Sequence, residues 1–469
     1  MKRVTLLVLA TIIFACSFAS QPKYIFYMIG DGMGMNHIAL TEMYLAEIDG
    51  YIGRKPLCMT QFPYTGMCTT FSESNAITCS SAAGTALATG VKTKNGRVGM
   101  TSDNKHPETI AEHLHSKGWN VGLLTSVSID HATPAAFYAS SIERGDYYTI
   151  GTQLAATQFE FFGGGTFYKP YVQDKPEEPN VYDLCDQNGY TFFHGYDDFV
   201  SNNGAEMEKV ILIQKHEGLD NHYLGEGRLP YAIDRQKGDM TLEEITRAAI
   251  AFMTKKEKPF FLMIEGGQID WASHNDDAAT VIRETEDFDQ SIRQAYEFYR
   301  QHPDETLIVV TADHETGGLA LGNHRYTLNL QLLQNQKASA PMISDMLKEL
   351  KDQYGKKLTY EHVKALFSET LGLYSVVEVK PEEDTALRNT FKKMMHNKAT
   401  DTKTLYDSLN AMSDQAVRLL DKKAHVGWTS HTHTGAPVPV FAIGAGAELF
   451  TGVHDNTDLT PLILKIAGE

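Results

Sequence analysis

Phe260-Phe261-Leu262-Met263-Ile264-Glu265-Gly266-Gly267-Gln268-Ile269-Asp270-Trp271-Ala272-Ser273-His274 is the stretch from which the rest of the chain can be read. Five apolar residues follow Pro259 without a polar break, the pattern of a strand buried on both faces in a parallel sheet. Gly266 and Gly267 close that strand, so Glu265 lies at its carboxyl end, where open α/β sheets place their ligands. Beyond the glycines, Asp270 and His274 stand four residues apart. That spacing brings both side chains to one face of a helical turn, where they can grip one ion. Glu265 points elsewhere, toward a second ion. A solvated helix could carry the same pair, so other segments must decide.

Working outward, the same arrangement recurs. Lys23 to Ile29 is an apolar strand that runs into Gly30-Asp31-Gly32-Met33-Gly34, and Thr306 to Val310 runs into Thr311-Ala312-Asp313-His314-Glu315. Sheet character returns at Pro437 to Ile443, just after His431-Thr432-His433-Thr434-Gly435. A helix opening at Pro107-Glu108-Thr109-Ile110 stops at Gly118 and leads into a strand from Trp119 to Thr125. This βαβ rhythm predicts an α/β fold with a central, mostly parallel sheet flanked by helices. Further helices are expected at Met35 to Ile48, Thr241 to Lys256, Asp276 to Arg300 and Leu459 to Ile466, and Cys68 to Phe71 is β-like. From about Gly145 to Gly238 the pattern weakens and reads as long surface excursions over the sheet. Between about Thr327 and Lys423 the chain turns charged and amphipathic, with no strand signal and helices at Met342 to Tyr354, Tyr360 to Leu371 and Thr404 to Lys422. That is a helical insertion, a cap or a dimer element.

Separate strand ends thus carry Asp31, Glu265 with Asp270 and His274, Asp313 with His314, and the His431 to Gly435 segment. Nitrogen and carboxylate donors without cysteine suit catalytic zinc, and an all-oxygen set suits magnesium. A run of small residues, Thr78 to Gly90, forms a helix beginning at Ser80. Ser80 is either an N-cap or, beside a metal that lowers its pKa, a nucleophile at a helix end that attracts phosphate.

The chain of 469 residues, 42% hydrophobic and 22% charged, is globular material for one large α/β domain or two to three average ones. A formal charge of −17 argues against a nucleic-acid or anionic-membrane partner and suits a protein that holds cations. Lys2, Arg3 and the apolar run Val4 to Ala15, followed by small residues, have the layout of a secretory signal peptide cleaved after Ala19, too short to span a bilayer. This predicts a periplasmic or secreted protein. Ile13-Phe14-Ala15-Cys16 offers a lipoprotein box as the minority alternative. Cys58, Cys68, Cys79 and Cys185 match no zinc or redox spacing. Cys58 and Cys68 can pair in an oxidising compartment or remain buried thiols.

With these residues in view, the chain resembles the alkaline phosphatases over most of its length outside the middle excursions and the insertion. Gly30 to Gly34 is similar to the family's first metal motif, which implies that Asp31 bridges one zinc and the magnesium. The resemblance implies Ser80 as nucleophile, with Thr85 to Gly90 fixing its register. It places His131 and Thr133, in His131-Ala132-Thr133-Pro134, and Glu265 at the magnesium, and Arg144 on the substrate phosphate. It assigns Asp313 and His314 with Asp31 to one zinc, and Asp270, His274 and His433 to the other. Cys79 stands where many members have an aspartate that orients the arginine, so the resemblance implies a more mobile Arg144. Ser81 offers a second hydroxyl, and His131 and Trp271 occupy positions that vary in the family and tune the magnesium site. The implied activity is hydrolysis of phosphate monoesters at alkaline pH through a phosphoserine, on two Zn2+ and one Mg2+, in a possible homodimer. The resemblance also implies that residues 20–469 form a single catalytic domain including the insertion at about 327–423. A phosphodiesterase of the same superfamily and a catalytically silent zinc-storing protein are the competing readings.

Overall fold

The computed structural model describes residues 21–172, 175, 177–215, 227–322 and 326–469. The expected presequence, residues 1–19, and Cys16 within it lie outside the described residues. Strands β1 (Tyr24–Gly30), β2 (Tyr64–Thr69), β3 (Asn120–Thr125), β4 (Phe161–Gly164), β5 (Thr191–His194), β6 (Val210–Ile213), β7 (Phe260–Gly266) and β8 (Thr306–Thr311) come first. Three two-residue pairs follow: β9 (Glu315–Thr316) with β14 (His433–Thr434), β10 (Ala320–Leu321) with β13 (Val426–Gly427), and β11 (Thr402–Lys403) with β12 (Ser408–Leu409). The last two strands are β15 (Val438–Gly444) and β16 (Gly452–Asp455).

Among the described residues ten strands form one sheet, in the order β16-β2-β15-β8-β1-β7-β3-β4-β6-β5. Only β15 runs against its neighbours β2 and β8; the remaining pairings of this sheet are parallel. Every residue of β3, β7 and β8 is buried, as a strand covered by helices on both faces must be. The registers Ile29↔Glu265, Thr125↔Glu265 and Ile29↔Thr311 set the carboxyl ends of β1, β3, β7 and β8 level with one another. Side chains just past those ends therefore share one edge of the sheet.

Helices start where the sequence supplies caps. Thr109 and Glu112 form a reciprocal capping box at Ile110–Ser116, and Thr241 and Glu244 do the same at Leu242–Lys255. Asp277 caps the long Ala278–Gln301 helix through Thr280 N–H. This helix joins two apolar clusters. Phe288, Ile292 and Phe298 belong to the core around the sheet, while Ala278, Val281 and Ile282 belong to a second core built largely from residues of the insertion.

Two expectations need correction, and one left open is settled. The 145–238 region is not a set of surface excursions, because β4, β5 and β6 extend the sheet from β3 with Phe161, Phe162, Val210 and Ile211 buried. Each of these strands has four residues, too few to establish a period. The insertion carries helices at Ala340–Tyr354, Tyr360–Leu371, Pro381–Met395 and Ala411–Ala424, but Thr404 to Asn410 is not helical. That segment instead includes strand β12, paired with β11, and leaves Tyr406 on a loop. Cys58 and Cys68 are unpaired buried thiols, both pushed up to about 12 by burial.

Candidate active site

Asp31 follows β1 directly in a turn that only glycine permits. Gly32 has φ of +73°, and a Cβ there would sit 2.8 Å from Asp270 Cα. The close approach lets Gly32 N–H donate to Asp313 Oδ1 at 3.1 Å, tying the ends of β1 and β8 together. From β7 the chain turns into the Gln268–His274 helix, which presents Asp270 and His274 together: His274 Nε2 lies 3.3 Å from Asp270 Oδ2. The β9/β14 pairing brings in His433, whose Nε2 lies 3.2 Å from His274 Nε2 and 3.6 Å from Asp270 Oδ1.

Potential donor atoms gather in three buried groups, each within 4.8 Å: Asp31, Asp313 and His314; Asp31, His131 and Glu265; and Asp270, His314 and His433. His274 joins the last through the contacts just given. Thr133 Oγ1 donates to Asp31 Oδ2 at 3.4 Å. His431 does not join: its backbone carbonyl accepts from His274 Nδ1 at 2.5 Å, while its ring turns to Arg418 and Asp276. His433 Nδ1 in turn meets Thr78 O at 2.9 Å. With Nδ1–H donated to a carbonyl, each of these two rings keeps Nε2 beside Asp270 as the nitrogen that could bind a metal.

Ser80 is the first residue of the Ser80–Thr89 helix, and its Oγ lies 3.3 Å from His314 Nε2. The helix approaches the sheet because its residues are small. A Cβ on Gly84 would stand 3.3 Å from Thr133 Cα, so this helix and the Ala132–Ala135 turn fix each other's distance. Cys79 Sγ is occupied by Ser81 Oγ and the Gly96 N–H, each at 3.1 Å. Arg144 Nη2 instead donates to Tyr406 Oη at 3.0 Å and to His131 Nε2 at 3.2 Å.

The electrostatics of this pocket call for cations. Burial pushes Asp31 well above the carboxylate range, reinforced by Asp313, Asp270 and Glu265. Burial also lifts Glu265, to about 8. Burial works to raise Asp270 and Asp313 too, but His274 and His314 respectively override it and hold both low. Burial, then the Arg144 charge, takes His131 down to about 3; burial, then His314, takes His433 to about 3. Asp31 Oδ1, Glu265 Oε1, Asp270 Oδ2 and Asp313 Oδ2 are buried with no hydrogen-bond partner. Buried acceptors in such number are costly unless an ion satisfies them, so this donor set fits divalent metals.

Several participants carried no ligand signature in the sequence. Thr125 at the end of β3 donates to Glu265, and Thr316 Oγ1 donates to Asp270 Oδ1 at 2.5 Å. Both lie at strand ends already singled out, so position was the available clue. Tyr406 offered none, since the amphipathic pattern around it reads as helix.

A profile of the alkaline phosphatase family matches residues 22–468. Alkaline phosphatase 4 of Bacillus subtilis is 30% identical over 459 residues, covering 95% of this chain and 89% of that protein. The structure of a cold-active alkaline phosphatase from Shewanella superposes with a TM-score of 0.78 at 26% identity, covering 95% of this chain and all of that one. The Thermus thermophilus alkaline phosphatase shares the fold at a TM-score of 0.77 and 24% identity, over 96% of this chain and 92% of that one. The chain belongs to the alkaline phosphatase family, metal-dependent phosphomonoester hydrolases.

Proposed function

We propose that the protein hydrolyses phosphate monoesters at alkaline pH through a phosphoserine on Ser80, using two Zn2+ and one Mg2+. One zinc would be held by Asp31, Asp313 and His314, the other by Asp270, His274 and His433, and the magnesium by Asp31, His131, Thr133 and Glu265. The observation that carries this reading is the Ser80 hydroxyl, 3.3 Å from His314 Nε2 at the rim of the buried donor groups. Bound there, the dications supply Lewis-acid charge that acidifies a hydroxyl and stabilises a leaving oxygen.

The residues then divide the work. Ser80 Oγ gives its proton to solvent water and attacks phosphorus in line; the bond to the alcohol oxygen breaks, that oxygen takes a proton from solvent to leave as the alcohol, and phosphoserine remains. Water opens that ester in a second in-line step, returning the Ser80 hydroxyl and inorganic phosphate with retention at phosphorus. Arg144 holds phosphoryl oxygens through charge-assisted hydrogen bonds and keeps the group oriented in both steps. Ser80 at a helix N-terminus sees backbone N–H groups that favour the dianion. Export across the cytoplasmic membrane and homodimerisation belong to the same reading. The first rests on Lys2, Arg3 and the apolar run to Ala15, and N-terminal sequencing of the mature protein checks it. Sedimentation checks the second. Among the described residues no helix is long and apolar enough to cross a membrane.

The test is phosphate release from an aryl phosphomonoester, the matching diester and the sulfate, across pH, with zinc and magnesium returned to chelated protein. Monoester turnover that rises with pH and falls by at least about a thousandfold in Ser80→Ala supports the assignment. Preference for the diester moves the substrate; unchanged turnover in Ser80→Ala removes the phosphoserine.

A further inference from the structure

We propose that Tyr406, a residue of the helical insertion, is a positioning residue that holds Arg144 ready for the substrate phosphate. This rests on the reading of Arg144 as the phosphate clamp. An arginine on a flexible stem loses rotamer freedom whenever it binds an anion, and a partner that fixes it beforehand reduces that loss. Cys79, next to Ser80, does not serve as that partner. Its sulfur is engaged by Ser81 and Gly96, and no hydrogen bond from Arg144 to it is present among the described residues. The Tyr406 hydroxyl takes the place, accepting from Arg144 Nη2 at 3.0 Å.

The tyrosine is itself firmly seated. Its ring stacks on Trp271 at a centroid distance of 4.3 Å and an interplanar angle of 8°, and lies edge-on to His131 at 5.7 Å and His274 at 5.4 Å. Trp271 is buried in the Gln268–His274 helix, with the Arg228 guanidinium 5.4 Å from its ring. Residues on either side of Tyr406 are tied to Asn275: Asn275 Nδ2 donates to Asp407 Oδ2 at 2.6 Å, and Thr404 Oγ1 donates to Asn275 Oδ1 at 3.2 Å. Asn275 directly follows His274, so the loop is pinned to the helix that carries Asp270 and His274. Both Arg144 side-chain hydrogen bonds use Nη2; Nη1 and Nε make none among the described residues. The contact orients the guanidinium without consuming its other donors.

The experiment compares Tyr406→Phe, Arg144→Ala and the double variant in the metal-loaded enzyme, reading kcat, KM and competitive inhibition by inorganic phosphate. Tyr406→Phe keeps the ring on Trp271 and removes only the hydroxyl. The expected result is a KM and a phosphate inhibition constant raised together by about tenfold, the scale of one charge-assisted hydrogen bond, with kcat within about twofold. In the Arg144→Ala background the same substitution should change neither constant, because its effect passes through the arginine. Unchanged phosphate inhibition in Tyr406→Phe overturns the proposal, as does an equal loss in the Arg144→Ala background. Arg144→Ala that leaves phosphate affinity intact shows instead that the clamp reading has failed, and takes this proposal with it.

Discussion

Asp31, Glu265, Asp270 and Asp313 were legible as ligand candidates because each stands at or just beyond a strand end, and the structure brings them together. What holds them was less legible. Thr316 reaches Asp270 from a two-residue strand, and a threonine two residues past His314 looks like any β residue. Hydrogen bonds behind a ligand set its basicity and direction, and losing one typically weakens metal binding about 10- to 100-fold. Thr316→Val should therefore reduce metal affinity by about that factor, read by competition with a chelator, while the shape of the site is kept. Tyr406 was illegible for a different reason: its partner Arg144 lies 262 positions away, and no spacing rule spans that distance. Away from the metal groups, Glu284 is buried and accepts from Ala232 N–H at 2.6 Å. Burial lifts its pKa from the ordinary 4.5 to about 8, although Arg235 opposes the shift. The folded state then binds this proton more tightly than the unfolded chain does. Its stabilising effect is complete below pH 4.5 and is lost as pH climbs through about 8. Glu284→Gln, which keeps an acceptor for Ala232, should flatten the decline in melting temperature over that window.

Elements with long apolar runs or clear caps announce themselves, and β1, β7, β8 and the Met35–Ile48 helix stand where the sequence places them. β4, β5 and β6 do not, because four residues are too few to show a period, and in β4 and β6 all four are buried. The Ser80–Thr89 helix is a case where composition carries the geometry. Its small residues bring Ser80 to the sheet edge, and Gly84 meets the backbone at Thr133. Gly84→Val has no flexible neighbour to displace, so it should push the Ala132–Ala135 turn outward and cost about 1 to 3 kcal/mol. Denaturant titration reads the stability, and loss of magnesium stimulation reads the displaced Thr133.

The molecule as a whole is built around two apolar cores, and the Gln268–His274 helix touches both. Ile269 faces the sheet core, while Trp271 and Ala272 belong to the core of the insertion. Ions held at this junction, as proposed, would tie the two together. An ion at about a thousand times its Kd adds about 4 kcal/mol, so chelation should lower the melting temperature by several degrees and returned metal should restore it. A differential scan with and without chelator measures this.

The position of β1 in the sheet carries a consequence for synthesis. It is the first strand made and a central one, yet its neighbours begin at Phe260 and Thr306. A ribosome adding about 5 to 20 residues per second leaves that apolar segment without its pairing partners for on the order of 10 to 50 seconds. Nascent chains stalled before Phe260 should be cut readily at β1 by protease, and chains released past Gly444 should resist. Strands made in the second half of synthesis thus flank the first, and the turn that carries Asp31 meets Glu265 and Asp313 only after more than half of the chain has been made.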